Sequence, residues 1–240
     1  MRARQRAKPP IIIKSAEHNE SDMEQDIWKQ EMKAFLHKVK KIPLNKRYYY
    51  DQSVLHGAPQ LKKRVKVQKG GHVIRYVKSK ETRYILHACI GITGPIVFEV
   101  TKKNLNDHEV KRFIVRKIVP KLKLDDALVM DRLGSTRRVK NPRKQHFNPL
   151  TLAAVKDVGV DVLHLPFKGS YLNPIELLFS DLKNNFPVTK YSHYPNNEMN
   201  ISSTAKHVQQ YMNYAAPQRC RGFYRSRANG KSIINCGLLD

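Results

Sequence analysis

The sequence predicts a mixed α/β layer fold, one sheet with helices against its faces. Three observations carry that expectation. Three strand-like segments come first and then alternate with helical ones, in the order βββαβαβα. The strand segments are short, apolar and rich in β-branched or aromatic residues. The helical segments repeat apolar residues at three- and four-residue spacing.

Residues 1–22 are basic and then polar, interrupted by Pro9-Pro10-Ile11-Ile12-Ile13, and read as a tail or linker remnant. A helix is expected from Asp22 within a leading segment 23–45. Ile27, Trp28, Met32, Phe35, Leu36 and Val39 form its apolar side, Asp22 is placed to cap it, and Lys38, Lys40 and Lys41 suit its C-terminal dipole. Trp28, the one tryptophan, reads as a packing anchor.

The main domain is expected over residues 46–186. It opens with a strand at about 47–53, followed by a basic stretch in which Lys69-Gly70-Gly71 marks a turn. No GK[ST] follows those glycines, so they do not form a phosphate loop. Residues 84–92 and 96–101 read as a hairpin around Thr93-Gly94-Pro95. A helix capped by Asn106 or Asp107 should run to about Lys121, burying Val110, Phe113, Ile114, Ile118 and Val119. Residues 127–130 make a short buried strand, 132–147 a polar loop, 149–158 a helix starting at Pro149, and 160–165 the last strand. A C-terminal helical extension covers 187–240, with one helix at 203–215 and a poorly specified Arg- and Gly-containing remainder. The chain shows no internal repeat.

Charge is the compositional outlier. Among 240 residues, 45 Lys+Arg stand against 20 Asp+Glu, a net charge of +25 with pI near 10.1. That balance favours a polyanion as partner, nucleic acid first. The basic residues are spread over expected loops and element ends, an arrangement that suits a surface following a duplex backbone. Three cysteines, Cys89, Cys220 and Cys236, lack CxxC spacing and indicate neither a disulfide framework nor a zinc site. No apolar stretch approaches a membrane span and the N-terminus carries no signal-peptide apolar region, so no membrane partner and a reducing intracellular compartment are expected.

The most informative stretch is Leu172-Asn173-Pro174-Ile175-Glu176, which joins a short strand to an amphipathic helix and sets Glu176 in its first turn. Two further acids follow strand-like runs: Asp51 after KRYYY and Asp131 after ALVM. Each alone reads as a turn former or a helix cap. Together, three acids at the edges of apolar elements suit Mg²⁺, which takes oxygen ligands and shares its coordination with water and phosphate. Two such ions can serve an in-line displacement at a phosphodiester. Asn173 and Pro174 themselves read as a helix cap and first-turn residue.

This pattern, a strand ending in Asp, a long insert, VMD, then LP...S.LNPIE...F..LK, resembles the catalytic domain of mariner-type transposases of the DDE superfamily. The likeness spans roughly residues 46–186 and continues weakly to about 225. It implies an α/β RNase H-like mixed sheet with flanking helices. It implies a catalytic and metal-holding triad of Asp51, Asp131 and Glu176, with Mg²⁺ or Mn²⁺ as cofactor, two ions in number. The activity it implies is endonuclease cutting and strand transfer at transposon ends. The partners are double-stranded DNA and a second copy of the chain in the DNA complex, and the location is the nucleus if the source is eukaryotic, otherwise the cytoplasm.

Departures from the family pattern motivate an alternative, a decayed or domesticated transposase that binds DNA without cutting it. Gln52 stands where the family has an acid, Arg132 follows the second Asp, and Phe179 replaces a common Trp. No helix-turn-helix pair is read before the catalytic region, which implies truncation or a separate DNA-reading module. For backbone phosphate, the candidates are Lys69, Lys183 and the basic insert residues Arg137, Arg138, Lys140, Arg143 and Lys144.

Overall fold

The computed structural model describes residues 22–56, 83–102, 107–131, 149–166, 169–185 and 201–225. Six α-helices and five strands are named here: α1 Asp22–Lys41, β1 Arg47–His56, β2 Arg83–Gly91, β3 Gly94–Thr101, α2 Asp107–Phe113, β4 Ala127–Met130, α3 Pro149–Lys156, β5 Asp161–His164, α4 Pro174–Asn185, α5 Ile201–Gln210 and α6 Ala216–Phe223. The strands form one sheet in the order β3-β2-β1-β4-β5. β2 runs antiparallel to both β1 and β3, while β4 is parallel to both β1 and β5. It is the mixed sheet with flanking helices that the sequence predicts.

Side-chain alternation along the strands assigns the two faces. Tyr49, Leu86, Ala88, Ile90 and Val129 enter one core with α1, α4, α5 and α6. Tyr50, Cys89, Leu128 and Met130 enter the other, with Val110 and Phe113 of α2 and Val155 of α3. Trp28 packs against the first core, as an anchor should. Cys89 is fully buried among apolar side chains and its thiol is pushed up in pKa by that burial, so it acts as a small hydrophobe. Among the described residues, no helix is long and apolar enough to cross a membrane.

Three elements differ from expectation. β1 continues to His56 instead of stopping near residue 53, because β2 pairs with it along that whole length, Leu55 against Tyr84 and His56 against Arg83. The helix beginning at Asp107 loosens into a π turn at Ile114–Ile118 and a 3-10 turn at Val119–Lys121, where Pro120 has no N–H to extend the ladder. Third, the C-terminal segment holds a further helix, α6, joined to α5 by a π turn at Tyr211–Ala215.

That last helix belongs to the core. Ala216, Cys220 and Tyr224 are wholly buried. The Tyr224 ring meets Tyr49 edge-on at 5.3 Å between centroids. Its hydroxyl lies 2.9 Å from both Arg47 O and Ile90 O, donating its single proton between two strands. On α4, the Asp181 carboxylate accepts hydrogen bonds from Tyr211 and Arg219, so the C-terminal helices grip the helix that carries Glu176. Gly94 requires its glycine: at φ 139 a Cβ would strain the turn and meet Pro217 of α6 at 3.2 Å.

Candidate active site

Asp51 is the fifth residue of the ten-residue β1, not its last. The sheet nevertheless opens at that point: β4 pairs with β1 only as far as Tyr50 against Met130, and Asp131 follows immediately. Both acids therefore sit where two parallel strands part, at the C-terminal edge of the β4 side, the kind of crevice in which open α/β sheets place ligands. Parity puts Asp51 on the face of Tyr49, the face covered by α4.

α4 is delivered by a compact turn. A 3-10 turn at Gly169–Leu172 ends on Asn173, whose N–H donates to Ser170 O at 2.9 Å. Asn173 Oδ1 accepts the N–H of Ile175 at 3.4 Å, and Asn173 O accepts the N–H of Glu176 at 3.2 Å. This is an N-cap followed by Pro174 in the first helical position, as the residue types predict. Ile175, Leu178, Phe179 and Leu182 are buried, a three- and four-residue spacing that anchors the helix and leaves Glu176 exposed. Phe179 fills its position in the core at 2 % exposure.

Asp51 is buried, at 8 % exposure, and its two oxygens are engaged differently. Oδ1 accepts the N–H of Gln52 at 2.7 Å, while Oδ2 accepts Asn173 Nδ2 at 3.2 Å. Burial pushes the carboxyl up to about 8; the Gln52 N–H counters this, the charges of Asp131 and Glu176 push it further up, and Lys183 pulls it down. Asp131 is half-buried and burial raises it too. Lys183 is exposed by area, yet protein around it lowers its pKa while Glu176 and Asp51 raise it. Three acids and one lysine are thus one electrostatic group.

Asp126, more buried than Asp51 at 4 % exposure, accepts the N–H of Lys123 at 2.7 Å and serves a turn. Gln52, where the family has an acid, points to the opposite face and donates from Nε2 to Tyr50 OH at 2.6 Å. The Tyr50 hydroxyl also lies 3.1 Å from Nδ1 of buried His87. A carboxylate at position 52 would join that inner cluster and not the face of Asp51. Lys69, Arg137, Arg138, Lys140, Arg143 and Lys144 lie outside the described residues.

Among the described residues, no group of three or more His, Cys, Asp or Glu side chains converges closely enough to form a ready metal shell. The donor set still fits a hard divalent cation: it offers carboxylate oxygen only, and a cation would offset the burial, and with it the neighbouring acid charges, that raise Asp51. Mg²⁺ held by one or two carboxylates completes its coordination with water and phosphate oxygens, so a sparse protein contribution is in character. Asn173 is more than the cap its residue type predicts, because its amide also bonds to Asp51. The available signal was the choice of cap: of the good N-cap residues, Asn alone carries an amide donor beside its acceptor.

The fold is shared with solved transposase structures. The Mos1 transposase paired-end complex with the left transposon end superposes with a TM-score of 0.68 at 12% identity, covering 100% of this chain and 67% of that one. The Mos1 strand transfer complex gives 0.70 at 12% identity, covering 97% and 67%. The catalytic domain of Mos1 mariner transposase gives 0.59 at 13% identity, covering 93% and 98%. At such identities the likeness is one of fold, the RNase H-like fold. Comparison with curated protein sequences gives no match. The description "DDE superfamily endonuclease" matches residues 46–194, well over half of the 240 residues, and the chain belongs to that family.

Proposed function

We propose that this chain is the catalytic part of a mariner-type DDE transposase, which cuts DNA at transposon ends and joins the freed end to a target. The observation that carries the reading is geometric: β1 and β4 part at Asp51 and Asp131, and the cap of the helix bearing Glu176 bonds to Asp51, inside the segment that matches the family. Asp51, Asp131 and Glu176 would hold divalent cation, Mg²⁺ or Mn²⁺, with two ions per site. Mos1 paired-end complexes are solved with each of these metals. Bound there, the cation supplies Lewis-acid stabilisation of charge on the attacking and leaving oxygens.

The chain's own residues do the rest. In this reading β1 supplies Asp51, the residue after β4 is Asp131, and the first turn of α4 supplies Glu176. Lys183, two helical turns beyond Glu176 and coupled to it, is placed to orient a phosphate. In hydrolysis a water oxygen bonds to phosphorus, the bond to the DNA 3′ oxygen breaks, and that oxygen takes up a proton as the free 3′-hydroxyl. In strand transfer the 3′-hydroxyl replaces water in the same displacement, so one site serves both steps and no covalent protein–DNA intermediate is needed.

The net charge of +25 supports duplex DNA as the partner. The insert residues Arg137, Arg138, Lys140, Arg143 and Lys144, with Lys69, would bind its backbone without reading bases. A homodimer holding two ends, acting in the nucleus of a eukaryotic source, completes the proposal.

The test is nicking of a plasmid carrying the genomic flanks of the coding sequence, with Mg²⁺ or Mn²⁺ added. Wild type should nick it and Asp131→Ala should bind but not nick. Equal nicking by both, or salt-sensitive binding with no metal-dependent cut by wild type, would reject the reading. The second result would favour a DNA-binding relic, a reading motivated by Arg132 directly after Asp131.

A further inference from the structure

Asn173 is wholly buried, and each of its polar groups is engaged. Its N–H donates to Ser170 O, its carbonyl accepts from Glu176 N, and its Oδ1 accepts from Ile175 N. Those three bonds build the first turn of α4. The fourth leaves the helix: Nδ2 donates to Asp51 Oδ2 at 3.2 Å, across 122 positions of sequence. One side-chain amide therefore ties the acid on β1 to the turn that carries the acid on α4.

We infer that Asn173 is a positioning residue, holding the Asp51 carboxylate in register with Glu176 so that both can serve one divalent cation. The inference rests on the metal-holding reading of these acids and adds a component to it. Capping alone does not call for this residue. Ser, Thr and Asp cap a helix about as well as Asn, but Ser is too short to reach Asp51 and Asp offers no donor. Only an amide accepts from the helix N–H with one atom while donating to a neighbouring carboxylate with the other. The 2.7 Å bond from Gln52 N fixes Oδ1 on the other side, so Asp51 is oriented by one donor on each oxygen. With both oxygens so engaged, the carboxylate plane is set before metal or DNA arrives, and remaining lone pairs are left for the cation. Partners of this kind, one step removed from the metal, typically change metal affinity by about 10–100-fold.

Asn173→Ser and Asn173→Ala separate the two duties. Mn²⁺ affinity is measured by titration calorimetry on full-length protein, with thermal unfolding in EDTA as a separate readout. Ser keeps the cap and loses only the bond to Asp51, so its unfolding temperature should fall less than that of Ala, which loses both. Both should bind Mn²⁺ at least about tenfold more weakly. In an Asp51→Ala background, adding Asn173→Ser should change Mn²⁺ affinity no further, because the residue acts through Asp51. This cycle keeps the test decisive even if one single variant is poorly folded. If Asn173→Ser binds Mn²⁺ like wild type, or weakens it equally with and without Asp51, the inference is overturned while the role of the acids stands. If wild type itself binds no Mn²⁺, the reading of the three acids fails, and the inference with it.

Discussion

Replacing Asp51 by Asn should reverse its effect on stability between acid and alkaline pH in metal-free protein. Burial and the charges of Asp131 and Glu176 raise the carboxyl from 3.8 to about 8 in the fold. A group whose folded pKa is raised contributes fully below its unfolded pKa and loses that contribution as pH rises through the folded value. The window is therefore about pH 4 to pH 8. At ~1.4 kcal/mol per unit, wild type forgoes at most about 4 kcal/mol by pH 7, relative to its acid form. The asparagine side chain of the Asp51→Asn variant cannot ionise and escapes this loss.

The substitution also has a cost. The new amide oxygen can still accept the Gln52 N–H, but the new amide nitrogen then faces Asn173 Nδ2, and a buried donor left unpaired costs about 1–3 kcal/mol. The two stability curves should cross near pH 5. By pH 8 the variant should be the more stable by at least ~1 kcal/mol, since the ionisation term exceeds the lost bond. Urea unfolding in EDTA at pH 5, 6, 7 and 8, at constant m-value, measures this directly. Parallel curves, or a variant less stable throughout, would refute the claim that Asp51 is a buried acid strained by its neighbours. Adding Mn²⁺ at pH 8 should stabilise wild type and leave Asp51→Asn nearly unmoved, since only a bound ligand shifts the equilibrium.

Further outcomes follow from the packing and the charge. Phe179→Ala removes a buried ring from the core under α4 and should lower unfolding free energy by about 3–5 kcal/mol, read as a drop in urea midpoint. Tyr224→Phe keeps the edge-on ring contact with Tyr49 but removes the proton shared by Arg47 O and Ile90 O, and should cost about 1–2 kcal/mol in the same assay. Lys183→Gln should weaken DNA binding alike for all sequences and lower the magnitude of the salt slope by about 1. Neutralising Arg137, Arg138, Lys140, Arg143 and Lys144 together should flatten that slope further, as fewer counterions are released on binding.

The sequence by itself determined the layer fold and singled out the acids as candidates. The hairpin at residue 94, the four-residue strand before Asp131 and the capped helix at Pro174 are local statements: turn chemistry, short β-branched runs and helical spacing are all encoded within a dozen residues. The family pattern around LNPIE then ordered Asp51, Asp131 and Glu176 as a set. Helix α6 was not legible, because its Arg- and Gly-containing segment has few apolar residues, and its helical state depends on Cys220 and Tyr224 finding the sheet. The length of β1 was hidden for the same reason, being decided by its pairing with β2.

Only the tertiary structure could decide how the acids differ. Burial and neighbouring charge are long-range quantities: Asp51 is strained because α4, from 122 positions away in sequence, closes over it, while Asp126 accepts an N–H only three residues off. The same distance in sequence concealed the second duty of Asn173. A cap acts within its own turn and can be read from the chain, whereas a bond across the sheet exists only once the sheet and helix have packed together.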